Sequence, residues 1–182
     1  MINRQIINGL MINYDLTKIK ALVFDVDGVL SSGTISVNTK GELNRTASIK
    51  DGYALHLAIK LGLHVAIITG AFEDSILFRY KEIGVEDIYL GSSVKTIDLQ
   101  HLLNKYNLSA EEVLYMGDDI PDYEVMQQVG LPCCPRDAAP EIRDISLYIS
   151  HLDGGKGCAR DVIEQVLKAQ GKWMANKEAF SW

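Results

Sequence analysis

Two carboxylates separated by one residue and followed by glycine, Asp25-Val26-Asp27-Gly28, come directly after the apolar run Ala21 to Phe24. Such a run reads as a buried β-strand. Residues i and i+2 of an extended chain point to the same side, so both acids converge just beyond the sheet edge rather than inside the core. Two acids held together need a cation, and an all-oxygen ligand set suits Mg²⁺, which keeps waters and substrate phosphate oxygens in its shell. A phosphate ester is therefore the natural ligand of this stretch. Further chemistry-bearing positions follow in order: Thr69-Gly70 after the apolar run ending at Ile68, Lys95 at the head of a helical pattern, and Gly117-Asp118-Asp119-Ile120-Pro121-Asp122 after Val113 to Met116. Taken singly each is ordinary. A threonine ending a strand is usually a turn residue, a lysine opening a helix is usually a solvated charge, and an isolated Asp-x-Asp also occurs in turns and in glycosyltransferase-like metal sites.

The elements that must position these residues can be read from periodicity. Ala21 to Phe24, His64 to Ile68, Ile88 to Leu90, Val113 to Met116, Leu131 to Cys134 and Ser146 to Ile149 read as strands. Helical patterns run from Asp51, as cap, to Leu61, from Glu73 to Ile83, from Lys95 to Tyr106, from Pro121 to Gly130 and from Cys158 to Gln170, with Ser109 and Glu112 forming a capping box between them. Thr34 to Val37 and Leu43 to Ser48 flank the turn-like Asn38-Thr39-Lys40-Gly41 and read as a β-hairpin. Strands alternating with helices predict an α/β, doubly wound domain with a mainly parallel sheet, whose ligands lie beyond the carboxyl ends of the strands. Every candidate residue sits at such an end.

The 182 residues, 47% of them hydrophobic, suit one domain. We expect it over residues 18–171, after an N-terminal extension, 1–17, and before a C-terminal tail, 172–182. A net charge of −6 argues against nucleic acid or an anionic membrane as partner. The chain shows no membrane-length apolar run and no signal-peptide pattern, and its three cysteines, Cys133, Cys134 and Cys158, suit reduced core thiols. A cytoplasmic protein is expected. Gly154-Gly155-Lys156-Gly157 lacks the spacing of a nucleotide phosphate loop and reads as a structural turn.

The ordered set Asp25-Val26-Asp27-Gly28, Thr69-Gly70, Lys95 and Asp118 resembles the four motifs of the haloacid dehalogenase superfamily of phosphohydrolases. The resemblance implies that Asp25 is the nucleophile that forms an aspartyl phosphate and that Asp27 is the general acid and base. It also implies that Thr69 and Gly70 hold the phosphoryl oxygens, and that Lys95 screens Asp25 from the phosphate. Mg²⁺ would be bound by Asp25, the backbone of Asp27 and Asp118, with Asp119 and Asp122 beside it. There is room for no cap domain: between Gly28 and His64 only the projecting hairpin and one helix fit, and between Gly70 and Lys95 only a helix and a short strand. An uncapped cleft must be covered by something else.

This architecture, with Asp51-Gly52-Tyr53, Gly154 to Arg160 and Ala169-Gln170-Gly171-Lys172, resembles the 3-deoxy-D-manno-octulosonate 8-phosphate phosphatase family. That family is capless and homotetrameric, and its hairpins meet between subunits. The resemblance implies a phosphorylated sugar acid as substrate, a role in lipopolysaccharide synthesis, and substrate-binding positions at Asp51, Gly52 and Arg79. The chain departs from the family pattern at Ala71, where arginine is usual, and at His56, which stands at a basic position. Arg79, Lys50 or Arg45 of an adjacent subunit are then the candidates for holding the substrate carboxylate. The alternatives are a phosphatase for a nine-carbon sialic-type sugar acid 9-phosphate, a phosphoacceptor receiver and a catalytically dead assembly module. Motif order opposes the receiver, whose nucleophile follows its metal-binding acids.

Overall fold

The structure is a computed structural model that describes residues 11–175 and 177–181. Its centre is β1 (Ala21–Phe24), buried along its whole length because it lies between two other strands and is covered on both faces. Leu22 and Phe24 point into one core and Ala21 and Val23 into the other. On one side, β1 pairs in parallel with β4 (His64–Ile68), which pairs with β5 (Asp87–Tyr89). On the other side lie β6 (Val113–Met116), β7 (Leu131–Cys134) and β8 (Tyr148–Ile149), again all parallel. The order β5-β4-β1-β6-β7-β8 reverses direction at β1, so the loops after β1 and β6 diverge and leave a crevice between them.

Helices cover both faces. One core joins the sheet to α1 (Ile49–Lys60), α2 (Asp74–Glu82) and α6 (Cys158–Ala169); α6 contributes Val162, Ile163, Val166 and Leu167 at helical spacing. The other core takes Leu99 and Leu102 of α3 (Lys95–Tyr106), Val125 and Met126 of α4 (Tyr123–Met126) and Ile142 of α5 (Pro140–Ile145). The hairpin is a separate two-stranded sheet of β2 (Ser36–Val37) and β3 (Leu43–Asn44), its turn tied by Asn38 Oδ1, which accepts the N–H groups of Lys40 and Glu42. The α/β, mainly parallel architecture with a projecting hairpin, and with no cap among the described residues, is as the sequence implies.

Several local expectations shift. Ser48 rather than Asp51 caps α1, accepting the Asp51 N–H, and Asp51 lies in the first turn. The helix expected from Pro121 to Gly130 is a 3₁₀ turn, Ile120–Asp122, followed by the short α4. α5 was not foreseen, being too short to show a period. Of the N-terminal extension, residues 1–10 lie outside the described residues, while Ile12 and Leu16 are buried against the α6 side of the core, so the described part packs with the domain. Within the tail, Tyr53 of α1 donates to the Ala179 carbonyl. All three cysteines are free and buried. No helix among the described residues is long and apolar enough to cross a membrane.

Candidate active site

The chain leaves β1 through Asp25 and then tightens into a turn over Val26–Leu30, with the Ser31 N–H closing back onto the Val26 carbonyl. Gly28 has φ +83°, and a Cβ there would lie 1.9 Å from Asp118 Oδ2, so the loop can approach the end of β6 only without a side chain. Gly154 meets the same loop from behind: a Cβ on it would fall 1.9 Å from the Gly28 carbonyl oxygen. Gly155 N–H donates to the Val29 carbonyl at 2.8 Å. The Gly154-Gly155 turn is thus a structural buttress for the acid-bearing loop.

Asp25, Asp118 and Asp122 each offer an oxygen, and these lie within 4.8 Å of one another. Asp25 and Asp122 are buried and Asp118 is half-buried. Lys95, first residue of α3, is buried and reaches in with Nζ 3.0 Å from Asp25 Oδ1 and 2.7 Å from Asp122 Oδ1. The contact to Asp25 is an ion pair without hydrogen-bond alignment, which leaves Asp25 Oδ1 a buried oxygen with no hydrogen bond. Asp122 is better held: Tyr115 Oη donates to Oδ1 at 2.8 Å and the Asp118 N–H to Oδ2 at 3.1 Å.

One lysine does not balance three acids. Burial first, then the charge of Asp122, raises the Asp25 carboxyl above its ordinary range against the pull of Lys95. Burial, Asp25 and Asp122 push Asp118 up to about 8. For Lys95 burial opposes the charge, yet Asp25 and Asp122 raise it above the ordinary lysine value. A buried carboxylate oxygen without a hydrogen bond, among acids that one lysine does not balance, fits a small divalent cation bound by oxygen. Asp25 and Asp118 are the side chains with coordination to spare.

Across the crevice Thr69 follows the last residue of β4, buried, with its N–H on the Tyr89 carbonyl and its Oγ1 accepting the Ala71 N–H at 3.3 Å. The Ser92 N–H donates to the Thr69 carbonyl at 2.9 Å, joining the two loops. Together these residues line a cleft of about 330 Å³ with Asp27, Gly28, Gly33, Ile35, Gly70, Ala71, Asp119 and Pro121. A larger cavity, of about 620 Å³, opens beside it between α3, Ile120–Asp122 and α5, and shares Lys95 and Pro121 with the cleft. The cleft, not the larger cavity, contains the converging acids.

The structure thus brings together Asp25, Asp27, Thr69, Gly70, Lys95, Asp118 and Asp122. Asp119 lines the cleft but spends Oδ1 on the Ile120 N–H. Asp51, Gly52 and Arg79 do not line it. Asp51 is buried beneath the start of α6 and accepts the Arg160 N–H at 2.7 Å, and its carboxyl is raised chiefly by burial. Gly52 leaves space for Arg79, whose Nη2 would lie 2.6 Å from a Cβ there, and Arg79 Nη1 faces Glu82 at 3.6 Å. His56 Nδ1 donates to the Ile83 carbonyl. Two contributions were not visible in the sequence. Tyr115, within the strand read over Val113 to Met116, anchors Asp122, and Arg45, considered only as an adjacent subunit's residue, binds Asp27 of its own chain.

The comparison with known proteins agrees with this geometry. A model of the haloacid dehalogenase-like hydrolase family matches residues 65–159. The 3-deoxy-D-manno-octulosonate 8-phosphate phosphatase of Salmonella typhi is 39% identical over 154 residues, covering 85% of this chain and 82% of the relative. The crystal structure of the Yersinia pestis phosphatase of that name has a TM-score of 0.85 at 35% identity, covering 87% of this chain and 85% of the other. That of Moraxella catarrhalis, in complex with magnesium ion, phosphate ion and a KDO molecule, has a TM-score of 0.87 at 32% identity, covering 92% and 96%. The chain belongs to the haloacid dehalogenase-like hydrolases, and within them to the 3-deoxy-D-manno-octulosonate 8-phosphate phosphatase family.

Proposed function

We propose that the protein is a Mg²⁺-dependent phosphomonoesterase that hydrolyses 3-deoxy-D-manno-octulosonate 8-phosphate to the free sugar acid and phosphate. The observation that carries the reading is the convergence of Asp25, Asp118 and Lys95 at a β1–β6 crevice, facing Thr69. Bound Mg²⁺ would neutralise the crowded acids and the phosphate dianion so that the two anions can approach. Asp25 attacks phosphorus, forming the Asp25 Oδ–P bond as the P–O bond to the sugar breaks, and Asp27 gives its proton to the departing alkoxide. Asp27 then takes a proton from water, whose oxygen attacks the same phosphorus and releases Asp25 and inorganic phosphate. Thr69 Oγ1 already accepts the Ala71 N–H, so its own proton is free for a phosphoryl oxygen, while Lys95 and the loop amides oppose the equatorial charge.

The finer assembly belongs to the same proposal. A homotetramer would cover the uncapped cleft, supported by the exposed Val37, Leu43 and Ile49 on and beside the hairpin and by Ile35 in the cleft wall. The same reading makes it an enzyme of lipopolysaccharide synthesis with residues 18–171 as its phosphatase domain, and the three free, buried cysteines suit a reducing, cytoplasmic compartment. Phosphate release from the octulosonate phosphate, compared with neutral hexose phosphates with and without chelator, tests the reading. The expectation is a kcat/KM advantage of about ten- to a hundredfold for the acid, as for one charged hydrogen bond. Equal values, or turnover undiminished by chelator, would overturn it.

A further inference from the structure

Arg45 follows β3 and turns back from the hairpin into the cleft of its own chain. Its Nε lies 2.6 Å from Asp27 Oδ1 and its Nη2 3.0 Å from Asp27 Oδ2, a bidentate fork, and Ser31 Oγ adds a 3.2 Å bond to Oδ1. The remaining nitrogen, Nη1, sits 2.9 Å from Glu73 Oε2, on the residue that precedes α2 just past the Thr69-Gly70 turn. The Arg45 side chain is 9% exposed and that of Asp27 37%, so the guanidinium is the covered member of the pair. An exposed pair would be worth little. A covered, planar cation gripped from two sides holds its partner in one orientation.

We propose that Arg45, ion-paired with Glu73, is a positioning residue that fixes the carboxylate of Asp27 for proton exchange with the leaving group through the second lone pair of Oδ2, which the fork leaves open. The proposal rests on the reading of Asp27 as acid and base. It also assigns a use to the hairpin beyond covering the cleft: the chain segment from Ser32 to Thr46 is closed at its base by a hydroxyl pair at 3.4 Å, and its arginine ties β3, the β1 loop and the start of α2 together. Direct capture of the substrate carboxylate is the competing use of Arg45. It is disfavoured because Nε and Nη2 are both committed to Asp27, which leaves a substrate carboxylate only Nη1, ion-paired with Glu73 but without a hydrogen bond.

Arg45→Met, Arg45→Lys and Glu73→Gln separate the two. The octulosonate phosphate needs a proton on its leaving alkoxide, whereas 4-nitrophenyl phosphate releases a phenolate that does not. Arg45→Met is expected to lower kcat for the sugar phosphate about ten- to a hundredfold with KM within about twofold. The pre-steady-state burst of nitrophenolate should be nearly unchanged, and Mg²⁺ affinity by calorimetry should be retained. Glu73→Gln should act in the same direction but less, and add little to Arg45→Met; Arg45→Lys should restore part of the loss. Parallel losses on both substrates, or a KM rise confined to the sugar acid, would overturn the proposal. If the wild type releases phosphate from neither substrate, the functional reading fails by itself, and a crystal structure of Arg45→Met decides the positioning: a displaced Asp27 carboxylate upholds it and an unmoved one overturns it.

Discussion

At the scale of residues, the site is held together by charges that do not balance without a cation, and this has consequences for stability as well as catalysis. Asp25→Asn removes the proposed nucleophile and one buried like charge at once. Turnover should vanish, while the metal-free melting temperature should stay level or rise by about 2–4 °C, the shift of roughly 1 kcal/mol in a chain of this size. Retained turnover in a folded mutant would remove Asp25 from its role. The pH dependence has a defined sign. Asp118 titrates near 8 in the folded protein against an ordinary 3.8, and Asp25 is raised as well, so between those values the folded state holds protons that the unfolded state has lost. Metal-free stability should therefore fall as pH rises from about 4 to 8. Mg²⁺ competes with those protons, so the melting-temperature gain on adding it should be larger at pH 8 than at pH 6. Thermal unfolding at both pH values, with and without Mg²⁺, is the check.

At the scale of elements, the site depends on two loops meeting without side chains between them. Gly28→Ala would force a left-handed residue and drive a methyl into the Asp118 carboxylate. Gly154→Ala would push the Gly28 carbonyl from the other side. Both should weaken Mg²⁺ binding measured by calorimetry, whereas Gly62→Ala, which has a positive φ but open space around it, should cost stability alone. Unchanged metal affinity in Gly154→Ala would show that the buttress is idle. The long strands and α3 were legible because their apolar pattern coincides with their burial, and Lys95–Tyr106 and Val113–Met116 have the bounds read from the sequence. α5 and the break after Asp122 were not, since elements of a turn or two are decided by packing rather than by period.

At the scale of the whole molecule, the uncapped cleft must be covered, and its substrate selected, at its mouth. Light scattering should give the mass of a tetramer, and a monomer of full activity at assay concentration would show that the cleft needs no neighbour. Ala71 lines the cleft, at the position where the family resemblance implies arginine. Ala71→Arg should raise the preference for the sugar acid over a neutral hexose phosphate by about tenfold, read as a kcat/KM ratio. No change in that ratio would place the carboxylate subsite elsewhere.

By itself the sequence determined the sheet, the order of its acidic, hydroxyl and basic positions, and hence the phosphate-and-metal chemistry, because each of these is written in a run of neighbouring residues: an apolar strand and the polar turn that ends it. Tertiary structure alone decided which of the acids lie close enough to hold a cation between them, that Tyr115 and Lys95 hold Asp122, that Asp51, Gly52 and Arg79 stand outside the cleft, and that Arg45 grips Asp27. Those relations join residues far apart in the chain. They depend on how closely backbones approach and which way side chains turn once buried, and local periodicity carries no record of either.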